Sequence, residues 1–372
     1  MPRKGKEVKF SINQAELQGA ISVVYKGIST RSTLPILSGI YVQAYKDTLT
    51  LQTTDLELSI KYTADTLIEE EGETVVPGRL FSDIVKSLPD AAVSLESTDQ
   101  GLAIVCDASS FTIKTLDPHD FPGFPAVEAQ QSVELPFGRF SSMVKKVARA
   151  VSKDESRAIL TGILITIEEG RLRMVATDSY RLAIAEAELE EAPQEAFTAV
   201  ISGRFLQDIV SLPQADEYVS LALSENQIVV SLNNTVFINR RLEGTFPNYA
   251  QLLPESHEAS ASFDVEHFMS AVKRVSLLDE KTAPVRIDID IDSQTVQLSS
   301  VAQDIGSAQE TLACEASGES MAIAFNHTYI LDGLGSVDKG TVVLETQNAT
   351  RPGIFKSGKE ESFLYLIMPV RI

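Results

Sequence analysis

The chain has 372 residues, a length that allows about three domains. Its 52 acidic and 32 basic residues give a formal net charge of −20 at neutral pH. If this charge is spread evenly, it argues against a nucleic-acid partner, because phosphates would be repelled.

The cysteine content and the apolar runs predict a cytoplasmic protein. Cys106 and Cys314 are too few for a disulfide framework, and we expect two buried thiols in a reducing compartment. The apolar runs are too short to span a membrane, and the basic residues near the start are not followed by the apolar stretch of a signal peptide.

The first third of the chain predicts two helices among short strands. A capping-box pattern begins at Ser11, and apolar residues recur at helical spacing from Leu17 to Ile28. The acidic run at 69–71, followed by Gly72, predicts a solvated hairpin turn. Alternating apolar and polar residues predict strands over 36–45, 48–54, 56–63, 73–76, 92–96, 102–106 and 109–115.

The second helix of this first third recurs later in the chain. Residues 75–89 and 200–213 share an apolar entry, a glycine where the helix starts, an apolar stripe and a final proline. Arg79 and Arg204 occupy the same place in the two copies, 125 positions apart, and a fainter third copy covers 323–334. In the first copy the predicted stripe consists of Leu80, Phe81, Ile84, Val85 and Leu88.

Other landmarks repeat with nearly the same period, 123 to 125 positions. Different motifs with a common period indicate duplicated domains. We therefore predict an α+β fold of three domains, over 1–127, 128–254 and 255–372, each with two helices packed on antiparallel sheets. The recurring landmarks are Gly39 with Gly162, Thr54-Asp55 with Thr177-Asp178, and Phe121-Pro122 with Phe246-Pro247.

The second and third domains continue this pattern. Helices are predicted over 137–153 and 204–211, and in the third domain Asp264 is expected to cap a helix. In the run 288–292, Asp alternates with Ile, which indicates a strand with an acidic outer face. A calcium loop is disfavoured, because serines stand where it needs a glycine and a glutamate.

Positive charge is concentrated on the predicted helices. Lys145, Arg149 and Lys153 lie on the face opposite the apolar residues of the helix predicted over 137–153. Over six predicted helical segments the net charge is +4, against −20 for the whole chain. Such helices are either ordinary solvated faces or a surface for a polyanion in an otherwise acidic body.

The chain has no sequence motif for catalysis or for a metal site. The four histidines lack partners at metal-ligand spacing, and no serine lies in a nucleophile elbow. Gly333 and Gly335 lack the remaining residues of a nucleotide-binding loop. We therefore predict no catalytic residue, no metal and no cofactor.

Four motifs form a set in a fixed order along the chain. They are Arg-Ser-Thr-Leu-Pro-Ile-Leu at 31–37, Val-Ala-Thr-Asp-Ser-Tyr-Arg-Leu at 175–182, Phe-Pro-Asn-Tyr at 246–249 and Met-Pro-Val-Arg-Ile at 368–372. With this set the chain resembles the bacterial DNA sliding clamps, the beta subunits of DNA polymerase III. The resemblance covers the whole chain.

The resemblance implies the DNA-clamp fold and a ring-shaped, head-to-tail homodimer with helices inside and sheets outside. Such a ring encircles and slides on duplex DNA, independently of sequence, and acts as a processivity factor of the replicative polymerase. Arg31 and Arg79 match DNA-facing positions of the family. From the basic helical surface we add Lys145, Arg149, Lys153, Arg157 and Arg204 as candidate DNA contacts.

The resemblance also implies a peptide-binding cleft between the second and third domains, which recruits polymerases, the clamp loader and repair proteins. Its apolar residues would form a groove, with Thr177 and Arg181 as polar contacts at the edge. Without the resemblance, the C-terminal stretch is equally well an ordinary final strand. Matched by motif, the cleft consists of Leu160, Thr177, Ser179, Tyr180, Arg181, Leu182, Pro247, Leu252, Met368, Pro369, Val370 and Arg371.

At the subunit contact we expect Phe111 and Ile113 of one chain to meet Leu277 and Leu278 of the other. Two further functions stay open from the residues alone: a three-domain acidic enzyme with a site assembled from scattered residues, and a monomeric scaffold for basic proteins. The absence of catalytic motifs disfavours the enzyme, and the basic helices disfavour the scaffold.

Overall fold

The structure is a computed structural model, and it describes residues 8–29, 33–128, 131–189, 196–212, 218–278, 284–302, 305–337, 340–357 and 362–371. In these residues the α-helices are α1 (Gln14–Val24), α2 (Gly78–Ser87), α3 (Phe137–Ala148), α4 (Gly203–Val210), α5 (Val265–Val275) and α6 (His327–Leu334). The strands are β1 (Lys9–Asn13), β2 (Gly39–Tyr45), β3 (Thr48–Thr54), β4 (Leu58–Asp65), β5 (Leu67–Glu70), β6 (Gly72–Pro77), β7 (Ala92–Thr98), β8 (Gly101–Cys106), β9 (Ser109–Ile113), β10 (Gln131–Pro136), β11 (Gly162–Glu168), β12 (Arg171–Thr177), β13 (Arg181–Glu188), β14 (Phe197–Ser202), β15 (Tyr218–Leu223), β16 (Gln227–Leu232), β17 (Thr235–Arg240), β18 (Ala259–Asp264), β19 (Pro284–Asp290), β20 (Thr295–Ala302), β21 (Gly306–Ala313), β22 (Glu315–Gly318), β23 (Met321–Asn326), β24 (Thr341–Thr346), β25 (Gly353–Ser357) and β26 (Ser362–Ile367).

The sequence repeat is also a repeat of backbone geometry. The amide of Ser29 donates to the carbonyl of Leu37 at 3.1 Å, and the amide of Ser152 donates to Leu160 at 2.9 Å. At the start of α2, a Cβ on Gly78 would come within 2.3 Å of Ile28, so only glycine lets the helix approach this closely. Gly203 starts α4 in the same crowded position, which explains why both copies have a glycine there.

The strands form antiparallel sheets within two compact units, and the predicted α+β class is confirmed. The first unit comprises Met1–Phe137 and Leu212–Arg240. It contains a five-stranded sheet in the order β5-β1-β7-β8-β9 and an eight-stranded sheet in the order β10-β15-β16-β17-β4-β3-β2-β6. Helices α1 and α2 contact each other, and α1 lies against β3 and β4, so the core of this unit lies between helices and strands.

The second unit comprises Gly138–Ser211 and Arg241–Ile372. Its nine-stranded sheet has the order β14-β11-β12-β13-β26-β25-β24-β18-β22, and its four-stranded sheet has the order β21-β20-β19-β23. Helices α5 and α6 contact each other, and the buried ring of Phe268 stacks on Phe263 with centroids 4.0 Å apart. The predicted acidic strand at 288–292 is confirmed only for its first three residues, which belong to β19 with Ile289 buried. Ile291 and Asp292 lie in the turn that follows.

In both large sheets, strands of two successive repeats are hydrogen-bonded to each other. In the first unit β17 of the second repeat pairs with β4 of the first, and in the second unit β26 of the third repeat pairs with β13 of the second. In the first repeat, β9 corresponds to β17 and β26, and in the third repeat, β21 corresponds to β4 and β13. Both β9 and β21 lie at the edges of their sheets in the described part of the chain. The contact-based units therefore cut across the middle repeat, and the boundaries given above stay a prediction.

The first helix begins later than its sequence pattern predicts. Ser11 lies inside β1, paired with both Leu67 and Ser94, and so it cannot cap the helix. Asn13 has the extended backbone of an N-cap instead, and its side chain accepts a hydrogen bond from the amide of Ala15 at 2.8 Å.

Two other helix predictions need correction. Leu80 is 47% exposed, because Phe81, Ile84 and Val85 already fill the buried face of α2. Helix α3 ends at Ala148 and not at 153, since the chain turns there into the connection that bonds Ser152 to Leu160. Lys153 therefore lies beyond the helix.

The acidic run at 69–71 was expected to be a loop, and this prediction is wrong for its first two residues. Glu69 and Glu70 belong to β5, an edge strand that pairs with β1, and the ammonium of Lys9 lies 3.1 Å from Glu69. Their side chains still face solvent, which explains the acidic composition of this strand. Of the two cysteines, Cys106 is buried as expected, whereas Cys314 is only half-buried.

Candidate functional site

The turn between β12 and β13 holds several of the predicted cleft residues in a fixed conformation. The hydroxyl of Thr177 donates to the carbonyl of Arg181 at 2.7 Å and accepts from the amide of Ser179 at 3.2 Å. The carboxylate of Asp178 accepts from the amides of Tyr180 and Arg181 at 2.9 and 3.0 Å. Ser179 has a φ of 81°, a backbone conformation that residues other than glycine rarely adopt, and these hydrogen bonds hold it in place.

Arg181 lies beneath this turn, with 8% of its surface exposed. Its Nε donates to Asp178 at 3.0 Å, and its Nη1 donates to Asp332 of α6 at 2.6 Å and to the hydroxyl of Tyr365 at 3.3 Å. Burial opposes the charge of Arg181, but Tyr365, Asp332 and Asp178 together outweigh it, so the net effect is a raised pKa. Arg181 thus stays positively charged and directs its hydrogen bonds to groups inside the protein.

The expected polar edge of the cleft is therefore absent in the form predicted. Thr177 is 5% exposed and Arg181 is 8% exposed, and both direct their polar atoms at protein groups. A buried guanidinium needs such partners, because an unpaired charge away from water costs several kcal/mol. These two residues shape the site from below and do not offer free hydrogen bonds at its rim.

The surface above Arg181 is apolar and aromatic. Tyr180 is 60% exposed, and its ring stacks on Tyr329 of α6 with centroids 6.4 Å apart. The amide of Met368 donates to the carbonyl of Tyr180 at 2.9 Å, and the amide of Val370 donates to Ala324 at 2.8 Å. The C-terminal segment after β26 is thus held against the turn, with the side chains of Met368 and Val370 exposed.

A second apolar element borders the same strands. Leu182 is buried in a cluster that includes Leu366 of β26, and Phe246, Tyr249 and Leu253 pack against this cluster. Their chain neighbours Pro247 and Leu252 face solvent. Of the remaining cleft residues, Leu160 is buried, Pro369 is half-buried, and Ser179 and Arg371 are exposed.

The candidate DNA contacts fall in both units. Arg79 is exposed on α2 of the first unit, whereas Lys145, Arg149, Lys153 and Arg204 are exposed in the second. Arg31 lies outside the described residues.

Two of the candidate arginines already have acidic neighbours. The Nη1 of Arg149 lies 3.6 Å from Asp332. Arg157 donates to Asp154 at 2.9 Å and to Ser179 of the turn at 2.8 Å. Hydrogen bonds from Ser156 and Arg157 lower the pKa of Asp154, so this pair is charged at neutral pH. The net positive charge of this surface is therefore lower than the number of its Lys and Arg residues indicates.

The residues predicted for a subunit contact differ in exposure. Leu277 is 80% exposed in the short turn after α5, and Leu278 beside it is half-buried. Phe111 is 36% exposed on the edge strand β9. Ile113 on the same strand is only 5% exposed, because its side chain belongs to the core of its own unit.

Sequence reasoning missed four residues of the site: Asp178, Tyr329, Asp332 and Tyr365. Asp178 had a signal, since Thr-Asp recurs at the end of a strand at 54–55 and 177–178. Tyr329 and Asp332 occur in the third copy of the repeated helix, but their role depends on Arg181, which is 151 positions from Asp332. Among the described residues no group of acidic, histidine and cysteine side chains is arranged to hold a metal ion. No helix in the described ranges is long and apolar enough to cross a membrane.

Comparison with known proteins assigns nearly the whole chain to one protein family. Residues 8–125, 134–248 and 250–371 match the N-terminal, central and C-terminal domains of the DNA polymerase III beta subunit. The arrangement of sheets and helices is thus the three-domain fold of the sliding clamps. The chain belongs to the family of DNA polymerase III beta subunits.

Individual relatives support this assignment. The beta sliding clamp of Staphylococcus aureus is 32% identical over 375 residues, which covers 98% of this chain and 99% of the relative. The solved sliding clamp of Bacillus subtilis is 29% identical, with a TM-score of 0.94 over 98% of this chain and all of that one. The beta subunit from Thermotoga maritima is 25% identical with a TM-score of 0.91, over 98% of this chain and 100% of that one.

Proposed function

We propose that the chain is the processivity factor of a replicative DNA polymerase: a ring-shaped homodimer that encircles duplex DNA, slides on it and recruits partner proteins without catalysing a reaction. The repeats at 1–127, 128–254 and 255–372 would be its three domains. The observation that carries this proposal is the pairing of successive repeats, which leaves β9 and β21 as edge strands in the described chain.

The edge strands suggest how the ring closes. Within the chain, successive repeats are joined by the pairs β17–β4 and β26–β13. A third junction of the same kind would pair β9 of one subunit with β21 of the next. Phe111 on β9 and Leu277 and Leu278 beside β21 would add apolar contact, while Ile113 supports β9 from its own core. A dimer closed in this way has no edge strand left at its junctions.

The dimensions of such a ring suit a duplex. Two copies would supply twelve helices, and at about 10 Å spacing their circumference is roughly 120 Å, which leaves a hole on the order of 28 Å. Exposed Arg79, Lys145, Arg149, Lys153 and Arg204, together with Arg31 and Arg157, would meet phosphates through water and counterions. Contact of this kind is independent of sequence and weakens with salt, which suits a ring that must slide.

Partner proteins would bind at the apolar surface of the second unit. Tyr180, Met368, Val370, Pro247 and Leu252 offer exposed apolar side chains beside strands held by buried Leu160, Thr177, Arg181 and Leu182, with Ser179, Pro369 and Arg371 around them. A short extended peptide with a glutamine followed by leucine and phenylalanine would place its apolar residues here. A few anchors on a flexible peptide give moderate affinity, about micromolar, which lets polymerases, the clamp loader and repair proteins exchange.

The test of the ring is topological. The protein is loaded on circular duplex DNA by a clamp loader, separated from free protein, and the DNA is then cut once. We expect retention on the circle and loss within the time of cutting, because a linear molecule lets a ring slide off. Equal retention on both forms would contradict encirclement.

A further inference from the structure

One carboxylate of helix α6 contacts two arginines that belong to different surfaces. The Oδ2 of Asp332 accepts from Arg181 at 2.6 Å, and its Oδ1 lies 3.6 Å from Arg149. The side chain of Arg181 is 9% exposed beneath the apolar surface, whereas that of Arg149 is 64% exposed directly after the end of α3. Asp332 therefore links the candidate peptide site to the candidate DNA surface.

A chain of contacts runs from Asp332 to the apolar surface. The guanidinium of Arg181 lies 4.5 Å from the ring centroid of Tyr329, which stacks on Tyr180. The carbonyl of Tyr180 in turn holds Met368. These contacts connect Asp332 and Arg181 to the side chains that a peptide would touch.

The bond between Asp332 and Arg149 is the weak one of the two. The side chain of Arg149 is mostly solvated and its nitrogen lies 3.6 Å from the carboxylate, so this pair is weak. A phosphate with its own negative charge can take Arg149 away. The carboxylate of Asp332 then pairs with Arg181 alone. This stronger pairing would hold α6 and the two stacked tyrosines more firmly.

We propose that Asp332 is a positioning residue that couples the two surfaces, so that duplex DNA bound at Arg149 and a peptide bound at Tyr180 raise each other's affinity. A surface that is already ordered loses less conformational entropy when a peptide binds. The coupling is reciprocal by linkage, and a surface ion pair limits it to about twofold to fivefold. The inference rests on the proposed function of both surfaces.

The experiment is a titration of the full-length protein with a short fluorescent peptide that contains glutamine followed by leucine and phenylalanine, with and without saturating short duplex DNA at fixed low salt. For the unchanged protein we expect the duplex to tighten peptide binding about twofold to fivefold. Arg149→Gln mimics the phosphate-bound state, so it should bind peptide more tightly without duplex and gain nothing further from it.

Lys145→Gln is the matched comparison, because it removes one positive charge from α3, four positions before Arg149, and leaves the pair between Arg149 and Asp332 in place. It should weaken duplex binding but leave the peptide titration and its response to saturating duplex as in the unchanged protein. Arg171→Gln, an exposed position on β12, should alter neither titration. If Lys145→Gln and Arg149→Gln shift the peptide titration equally, the effect is one of general charge and the coupling through Asp332 is refuted.

Asp332→Asn removes one of the two carboxylates that pair with Arg181, and it should weaken peptide binding about tenfold and abolish the response to duplex. Asp332→Glu should restore much of both. Identical peptide affinity with and without saturating duplex in the unchanged protein would overturn the inference while leaving the proposed function intact. Failure of the unchanged protein to bind any such peptide would overturn the peptide site itself.

Discussion

The two turns that follow the Thr-Asp dipeptides have the same backbone and different surfaces. In the first unit the amide of Leu56 donates to Thr54 at 3.0 Å, the amides of Glu57 and Leu58 donate to Asp55 at 3.0 and 2.7 Å, and Leu56 has a φ of 78°. The turn at 177–181 in the second unit has the matching bonds and a φ of 81° at Ser179.

The segments that follow the paired strands repeat as well. The amide of Arg240 donates to Glu57 at 3.1 Å, as that of Met368 donates to Tyr180 at 2.9 Å. In the first unit Glu57 and Arg240 form an exposed ion pair at 3.6 Å, where the second unit has Tyr180 and Met368. The same backbone arrangement therefore carries a solvated charge pair in one unit and an exposed apolar surface in the other. The difference lies in the side chains and not in the fold, and it makes the second turn the candidate for peptide binding.

Removing the segment that distinguishes the second turn should have the largest effect. Deletion of Met368 to Ile372 takes away two exposed apolar side chains and the hydrogen bond to Tyr180, so we expect peptide binding to fall more than about 50-fold. Sedimentation of the same variant should still show a dimer, because the proposed subunit contacts lie elsewhere. Unchanged affinity would remove the C-terminus from the site, and loss of the dimer would show that the two functions are inseparable.

Exchanging the surfaces without shortening the chain is the next test. Tyr180→Glu combined with Met368→Arg copies the first turn onto the second, and the lost apolar contact of about 2 kcal/mol should weaken peptide binding about 30-fold. The reverse exchange, Glu57→Tyr with Arg240→Met, should leave the titration unchanged, since Leu58 stands where the second turn has Arg181. A new peptide site of equal strength after the reverse exchange would show that Arg181 and its partners are dispensable.

The aspartates of the two turns should differ in their contribution to stability. In the described part of the chain, the carboxylate of Asp55 accepts hydrogen bonds within its own turn, whereas that of Asp178 also pairs with buried Arg181. Asp178→Ala should therefore lower the free energy of unfolding by about 2–3 kcal/mol and Asp55→Ala by about 1 kcal/mol, as followed by thermal melting. Equal losses would mean that Asp332 alone is sufficient for Arg181.

The smallest effect is expected at the charge pair of the first turn. The side chains of Glu57 and Arg240 are 64% and 55% exposed, so Glu57→Gln should change the free energy of unfolding by less than about 0.5 kcal/mol. Melting curves of the two proteins should overlap within that limit. A clearly larger loss would give this pair a structural role that its exposure does not support.

The sequence was sufficient for those features that depend on local pattern and on the repeat. The glycine at the start of α2 and α4 and the Thr-Asp dipeptides at strand ends recur with nearly the same period, and the structure contains each of them. The apolar stripe of α2 is also present, except for Leu80. The shared sheets could not be predicted, because β17 and β4 pair across more than a hundred and seventy positions, as the bond between Thr63 and Asn234 illustrates with a separation of 171.

The burial of Arg181 was hidden for the same reason. Its position after a strand gave no sign of the carboxylate on α6, and an arginine at a cleft is usually taken as a contact for the ligand. The prediction that Leu80 is buried was wrong for a different reason. Its spacing fits the apolar stripe, but a helix of ten residues that packs on one neighbouring helix can bury only part of that stripe. Tertiary packing decided both cases.

The proposed ring requires the chain to close on a second copy through β9 and the turn beside β21, and sedimentation at micromolar concentration shows whether it does. We expect a dimer for the unchanged protein and a folded monomer for Leu277→Ala combined with Leu278→Ala, with Leu252→Ala as the matched control that stays dimeric. Leu277 is the decisive side chain, since it is 80% exposed and would become buried in the contact. An unchanged protein that sediments only as a monomer would rule out the dimer, and a double variant that stays fully dimeric would rule out this subunit contact.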